Sequence, residues 1–215
     1  MWSTNIVAER ADGGRGLAAR LPGVGRPGSR VKRVVDIGLA TVGLVVAAPV
    51  LLLSAVAIVL DSPGGPLFGQ ERSGRGGTTF RLWKLRTMVA DAASLGPQLT
   101  QVNDWRVTRV GRILRRTSLD ELPQLVNVLA GDMTLVGPRP ELTAITATYS
   151  PQQREVLAYT PGLTGISQIS GRAALPIADK LAMDIAYCRR ATLWSDLRII
   201  ALTPTAVVSN DGNVM

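Results

Sequence analysis

The stretch Val34–Leu60, VVDIGLATVGLVVAAPVLLLSAVAIVL, decides how the rest of the 215-residue chain is arranged, because it carries one charge, Asp36, in 27 residues. As a straight helix it would extend roughly 40 Å at 1.5 Å per residue, enough to cross about 30 Å of hydrocarbon. Two features argue against a crossing. Pro49, near the middle, removes one main-chain hydrogen bond and crowds the carbonyl of Val45, so a bend or break is expected at Ala48–Pro49. Arg26, Arg30, Lys32 and Arg33 precede the run, and Arg72, Arg75, Arg81, Lys84 and Arg86 follow it. Positive charge on both flanks assigns both ends to the cytoplasm. The expectation is a re-entrant membrane helix over residues 34–60, two short helices hinged at Ala48 and Pro49 and dipping into one leaflet. A spanning helix is the second reading. A buried core helix is the third, and the absence of a polar face over this length speaks against it.

The net charge is +8, from 21 Arg and 3 Lys against 16 acidic residues. Such a surface suits anionic lipids or phosphorylated substrates beside the apolar run. Aromatic residues make up only 4% of the chain, leaving little on which to stack bases, so a nucleic-acid partner is not expected. There is no His and a single Cys, Cys188, which excludes a histidine base, a His or Cys zinc site and an internal disulfide. Catalysis must then rely on carboxylates, hydroxyls, Lys, Arg or an oxygen-bound hard metal. Arg189 and Arg190 beside Cys188 could lower its pKa, yet a lone cysteine reads as packing.

Residues 1–29 contain Gly, Arg and Pro clusters without hydrophobic periodicity and read as a disordered tail lacking a secretory signal. Residues 30–215 read as a single domain. Asp36 stands one turn after Lys32 and Arg33 and is expected to pair with one of them. LFGQE and TTFRLWK flank RSGRGG, which predicts a β-hairpin with Lys84 and Arg86 at its exit. Arg106 to Arg116 interleaves arginines with Val107, Val110, Ile113 and Leu114 and predicts a basic amphipathic helix suited to anionic headgroups. A second helix should start near Asp120 and stop before Gly131, and further helices are expected over 179–190 and 193–208, with Trp194 at an interface. The fold class expected is α+β, mostly helical: a monotopic membrane protein with a helix-break-helix hairpin, a small β-hairpin and interfacial amphipathic helices.

Three motifs could carry chemistry. SLDELPQL admits a capping reading, since Ser118 and Glu121 fit S-x-x-E. It equally places Asp120 and Glu121 at a helix start just after Arg115 and Arg116, where dipole and charge should keep both carboxylates ionised. An ionised Asp can attack phosphorus or help hold Mg²⁺. GDMTLVGPRPEL fixes Arg139 between Pro138 and Pro140, aiming a bidentate phosphate ligand in advance. PGLTGISQISGR, residues 161–172, alone says only loop.

In this order, KRVVD, the apolar run with its central proline, FRLWKLRTM, RVTRVGRILRRTSLDELPQLVNVLAGDMTLVGPRP, PGLTGISQISGR and DLRII resemble the bacterial sugar transferase family over residues 31–208. These are monotopic phosphoglycosyl transferases, and the likeness is to their catalytic-domain-only type. The resemblance implies transfer of a sugar 1-phosphate from a UDP-sugar to undecaprenyl or another polyprenol phosphate, with release of UMP, as the first step of exopolysaccharide, capsule, O-antigen or glycoprotein glycan assembly. It further implies that Asp120 and Glu121 form the catalytic dyad, that Asp120 becomes the covalent phosphosugar carrier and a Mg²⁺ ligand, and that Lys84, Arg115 and Arg139 face substrate phosphate. It implies the cytoplasmic face of the inner membrane, leaves a homodimer open, and restates the re-entrant helix. Ala48 stands where the family often has Ser, and Ile166 and Ser170 stand where Trp and Asn are common. The competing reading is a non-enzymatic membrane-surface adaptor, which leaves the Asp120, Glu121 and Arg139 cluster without purpose.

Overall fold

The computed structural model describes residues 30–97, 100–101, 103–170 and 176–208. The expected tail over 1–29 and the Gly171–Arg172 end of the glycine-rich motif lie outside the described residues. Helix α1, Arg30–Asp61, runs unbroken through Pro49, about 48 Å long at the usual rise. The division into two helices at Ala48–Pro49 is therefore not observed. Loss of one amide donor at Pro49 leaves the flanking turns helical, since a single missing bond is a local defect.

Along α1 only Asp36, Ala40, Ala47, Ser54 and Ile58 are buried, a single stripe at helical spacing. Val34, Val45, Val46, Leu52, Leu53 and Leu60 stand more than 65% exposed, so α1 is no core helix. Its two halves nonetheless rest on one body. Ala40 and Leu44 pack with Leu125, Val128 and Met133, whereas Leu51 and Ile58 pack with Leu85, Val110 and Leu114. The Val110 amide donates to Asp61 at 3.0 Å.

The start of α1 carries the expected pairing of Asp36 with a base one turn back, Lys32 at 3.8 Å, and further contacts besides. Lys32 also donates to Asp196 at 2.7 Å. Asp36 also accepts from the Thr134 hydroxyl at 2.5 Å. Arg33 donates to the carbonyls of Val128 and Leu129, the unpaired C-terminal groups of a helix described below.

Strands β1, Leu67–Ser73, and β2, Thr79–Leu85, form the expected antiparallel hairpin with Leu67 opposite Leu85 and Ser73 opposite Thr79. Its turn needs glycine at positions 76 and 77, whose φ values are 71° and 77°. Helix α2 spans Arg109–Arg116; its cap, Thr108, accepts from the Gly111 amide. It is shorter than the helix expected from Arg106. The Arg106 side chain is buried instead, donating to Asp104, Ala92 and Pro97, because the Asp104 carboxylate neutralises it inside the domain.

Helix α3, Gln124–Ala130, ends at Gly131 with φ 96°, the left-handed cap that glycine adopts freely. Strand β3, Thr134–Val136, pairs in parallel with β4, Gly162–Thr164. One-turn helices α4, Thr143–Thr146, and α5, Ile166–Ile169, precede α6, Ile177–Arg190, and α7, Leu193–Val208. The main core joins α1, β2, α3, β3 and α7 through Ala40, Leu82, Leu125, Val128, Met133 and Ile199. Mostly helical α+β architecture is thus as expected, and a second two-stranded sheet forms where the sequence predicts only loop.

Candidate functional site

Three separate segments meet at the dyad. The first is the turn Leu119–Glu121, a 3₁₀ turn ahead of α3 rather than the first turn of an α-helix. Ser118, which leads into it, takes the left-handed conformation at φ 55° and ψ 17° and makes no side-chain cap, so the capping box is not formed. A non-glycine residue there costs about 1 kcal/mol and must be held by its surroundings. The Ser118 amide donates to the Arg115 carbonyl and the Ser118 carbonyl accepts from the Glu121 amide, and the α3 that follows is fixed to β2. Asn127, 2% exposed, accepts from the Trp83 amide at 3.1 Å and donates to the Arg81 carbonyl at 2.8 Å. This side chain completes the β2 edge and locks α3 to it.

With that register set, Lys84 on β2 reaches Glu121 Oε1 at 2.8 Å. Arg139 arrives at the same oxygen from the other side at 2.7 Å, and its second nitrogen lies 3.4 Å from Oε2. Arg139 follows β3, where the chain is compressed against β4. A Cβ on Gly137, Gly162 or Gly165 would overlap main-chain atoms of the facing strand or turn. The glycines of PGLTGISQ thus serve close backbone approach beneath the Pro138–Arg139–Pro140 segment.

Arg115 comes from the last turn of α2. Its Nε donates to Thr87 Oγ1 at 2.8 Å and Nη1 to Thr100 Oγ1 at 3.1 Å. Close approach of α2 to the β2 exit requires Gly111, where a Cβ would overlap the Thr87 carbonyl. Lys84, Arg115 and Arg139 all bear electrostatically on Asp120. The five residues Lys84, Arg115, Asp120, Glu121 and Arg139 are therefore brought together.

The two carboxylates differ sharply. Burial pushes Glu121 up, but Arg139 and then Lys84 outweigh it and hold the acid well below the usual range. Asp120 is 7% exposed and accepts no hydrogen bond among the described residues. Burial raises its pKa, Lys84 lowers it, the Glu121 charge raises it again, and the result is about 6. Both carboxylates thus remain mostly ionised at neutral pH, as expected, but Asp120 is the less firmly ionised of the two, because burial beside a second acid raises it. Cys188 agrees with its reading as a packing residue: burial pushes its thiol up to about 12.

Arg72 was missed as a site residue. Its guanidinium donates to the Pro140 carbonyl at 3.1 Å and to Gln70 at 2.8 Å, and burial followed by the nearby Arg139 charge lowers its pKa. No local pattern marks it, because its partner is 68 positions away. Asn127 was also missed, although an amide on the apolar side of a predicted helix is a readable signal for a buried polar anchor.

Three cations around two acids leave an excess of positive charge that suits a diphosphate. Glu121 is occupied by Lys84 and Arg139, so Asp120 is the carboxylate available to a cation. No group of three acidic, His or Cys ligands occurs among the described residues. That donor set fits a hard divalent ion that takes one protein carboxylate and completes its shell with substrate phosphate and water.

The profile of the bacterial sugar transferase family matches residues 28–210. The chain is 46% identical over 190 residues to the UDP-glucose:undecaprenyl-phosphate glucose-1-phosphate transferase of Caulobacter vibrioides, covering 84% of this chain and 70% of that protein. It is 42% identical over 186 residues to the protein of the same name from Escherichia coli, covering 80% of this chain and 39% of the other. It is 36% identical over 198 residues to the undecaprenyl-phosphate galactose phosphotransferase of Salmonella typhimurium, with 85% and 41% covered. The chain thus spans well under half the length of the latter two relatives.

Proposed function

The chain belongs to the bacterial sugar transferase family, and from that premise we propose that it transfers a sugar 1-phosphate from a UDP-sugar to undecaprenyl phosphate, releasing UMP. The observation that carries the reading is the contrast within the dyad: a buried Asp120 without hydrogen-bond partners among the described residues beside a Glu121 pinned by two cations. An unpartnered carboxylate is free to use its lone pair. An oxygen of Asp120 attacks the β-phosphorus of the donor, the bond from that phosphorus to the bridging oxygen breaks, and UMP leaves with the electron pair. The sugar phosphate is then an acyl phosphate on Asp120. A phosphate oxygen of the lipid attacks the same phosphorus, expels the carboxylate and yields the polyprenol diphosphate sugar.

Lys84, Arg115 and Arg139 oppose the charge spread over the transferring phosphoryl oxygens. Glu121 fixes Lys84 and Arg139 at one point, which orients them before the donor arrives. Mg²⁺, held by Asp120 and the donor's phosphates, would supply further neutralisation of the diphosphate.

The membrane reading rests on α1. Its exposed valines and leucines need hydrocarbon, yet both its halves pack on the same body. A helix crossing the bilayer would carry one end about 30 Å away from the domain. We therefore place α1 within the cytoplasmic leaflet of the inner membrane, entering and leaving on one side, with Pro49 and Ala48 at its deepest part. The exposed Arg109, Arg112 and Arg116, with Ile113 and Trp105, would meet anionic headgroups. UDP-glucose is the first donor to try, since two relatives are named for it. The test is UMP release from UDP-sugars by the full chain in lipid nanodiscs, with and without undecaprenyl phosphate. Release that needs Asp120 is expected; no release with any UDP-sugar would overturn the reading and favour an adaptor.

A further inference from the structure

Arg139 reaches Glu121 from the Pro138–Arg139–Pro140 segment, and the main chain is clamped differently on its two sides. Before Arg139, the ladder of β3 and β4 continues: the Gly137 amide donates to the Thr164 carbonyl at 2.9 Å, and the Gly162 amide to the Pro138 carbonyl at 2.8 Å. After Arg139, the end of β1 takes over. The Ser73 amide donates to the Glu141 carbonyl at 2.9 Å, and Nη1 of Arg72 donates to the Pro140 carbonyl at 3.1 Å. Neither proline carries an amide hydrogen, so the segment is held chiefly through its carbonyls. Behind it lies a cavity of about 20 Å³ whose walls include Pro138, Pro140, Tyr149 and Val156, so close packing does not fix it from that side.

Arg72 supplies the one side chain among these clamps, and it is itself held. Its Nη2 donates to Gln70 Oε1 at 2.8 Å, two residues back along β1, and its Nη1 lies 3.8 Å from Glu141 Oε2. Burial and then the charge of Arg139 weigh against the Arg72 cation, yet an arginine stays charged. One cation set against another is unfavourable unless an anion such as a diphosphate shares them. Among the described residues Arg72 donates to neither carboxylate of the dyad. What it holds is the main chain from which the Arg139 guanidinium departs, and that guanidinium is one of the two cations on Glu121.

We propose that Arg72 is a positioning residue for phosphoryl transfer: by holding the Pro140 carbonyl it fixes the main chain just after Arg139, and so the direction in which the Arg139 guanidinium meets the donor's phosphates. This role rests on the phosphoryl transfer proposed for the dyad. A misplacement of about 1 Å at the reacting centre costs on the order of a hundredfold in rate, so a partial loosening of the segment should be visible in kcat.

The experiment is a double-mutant cycle on the full chain in nanodiscs, with UDP-glucose and undecaprenyl phosphate, comparing wild type, Arg72→Gln, Arg139→Ala and the double variant. Arg72→Gln should lower kcat about thirtyfold with little change in donor KM, and less than about threefold in the Arg139→Ala background. Equal losses in both backgrounds would show Arg72 acting without Arg139 and overturn the proposal. Amide hydrogen exchange supplies a readout independent of turnover. The Gly162 amide, which donates to the Pro138 carbonyl, should exchange faster by about threefold or more in Arg72→Gln, and unchanged exchange there would overturn the proposal. Should Arg72→Gln fail to fold, Arg72→Lys carries both readings, because an ammonium keeps the charge but lacks the planar fork that holds Gln70 and Pro140 together. Its loss in kcat should be smaller, about fivefold, and should likewise vanish without Arg139. A wild type that releases no UMP from any UDP-sugar would instead sink the function assigned to the dyad, while exchange at Gly162 still decides whether Arg72 holds the segment.

Discussion

Replacing Asp120 with Asn should remove turnover and at the same time make the protein more stable. Asp120 has a folded pKa of about 6 against an ordinary 3.8. Because the folded value is raised, the protonated acid favours folding. That contribution is complete below about pH 4 and is lost as the pH rises through about 6. At pH 8 the folded protein carries a buried charge whose burden, at about 1.4 kcal/mol per pKa unit, is about 3 kcal/mol. Asn matches the shape of the protonated acid and never ionises. The variant should therefore equal the wild type at pH 4 and exceed it by up to about 3 kcal/mol at pH 8. For a chain of this size that corresponds to roughly 6–12 °C in Tm. Thermal melts followed by tryptophan fluorescence in nanodiscs from pH 4 to 8, without divalent ions, measure it. Added Mg²⁺ should narrow the gap at pH 8 by stabilising the wild type alone. A variant no more stable than wild type at pH 8, or a gap that does not change with pH, would refute the reasoning.

The rate of UMP release should fall as the pH drops through about 6, and Glu121→Gln should move that limb lower, because the Glu121 charge is among the causes raising Asp120. The same variant leaves Lys84 and Arg139 without their shared acid, so its rate at neutral pH should also fall, by roughly tenfold or more. Gly111→Ala should destabilise the fold by about 1–3 kcal/mol in urea melts, since the new methyl overlaps the Thr87 carbonyl. Its donor KM should rise as Thr87 loses its hold on Arg115. Compartment-sensitive reporters fused before Arg30 and after Val208 should both report the cytoplasm; opposite compartments would contradict the placement of α1.

What could be read directly from the sequence was whatever depends on neighbours along the chain. The β-hairpin, the glycine stop at position 131 and helices α6 and α7 follow from local turn chemistry and apolar spacing. The cluster of Lys84, Arg115, Glu121 and Arg139 around Asp120 was legible only through the combination of motifs, and the structure brings those residues together. The rest depended on contacts across the fold. That Arg106 turns inward follows from Asp104 and two carbonyls, not from its place in a basic stripe. That Asp36 binds Thr134 as well as Lys32 follows from where β3 lies. The divergence of the two carboxylates arises because both are buried but Arg139 and Lys84 hydrogen-bond only to Glu121, which adjacent letters cannot show. Pro49 exposes a different limit: its missing donor was legible, but whether the helix breaks depends on packing along both halves of α1.

Weighing the intact protein after incubation with UDP-sugars in the absence of lipid acceptor tests the central claim most directly. The account predicts a mass gain of one sugar phosphate on the wild type with the correct donor, none on Asp120→Asn, and loss of the gain when undecaprenyl phosphate is added. Steady turnover with no adduct under rapid quenching, or an adduct that persists in Asp120→Asn, would contradict it.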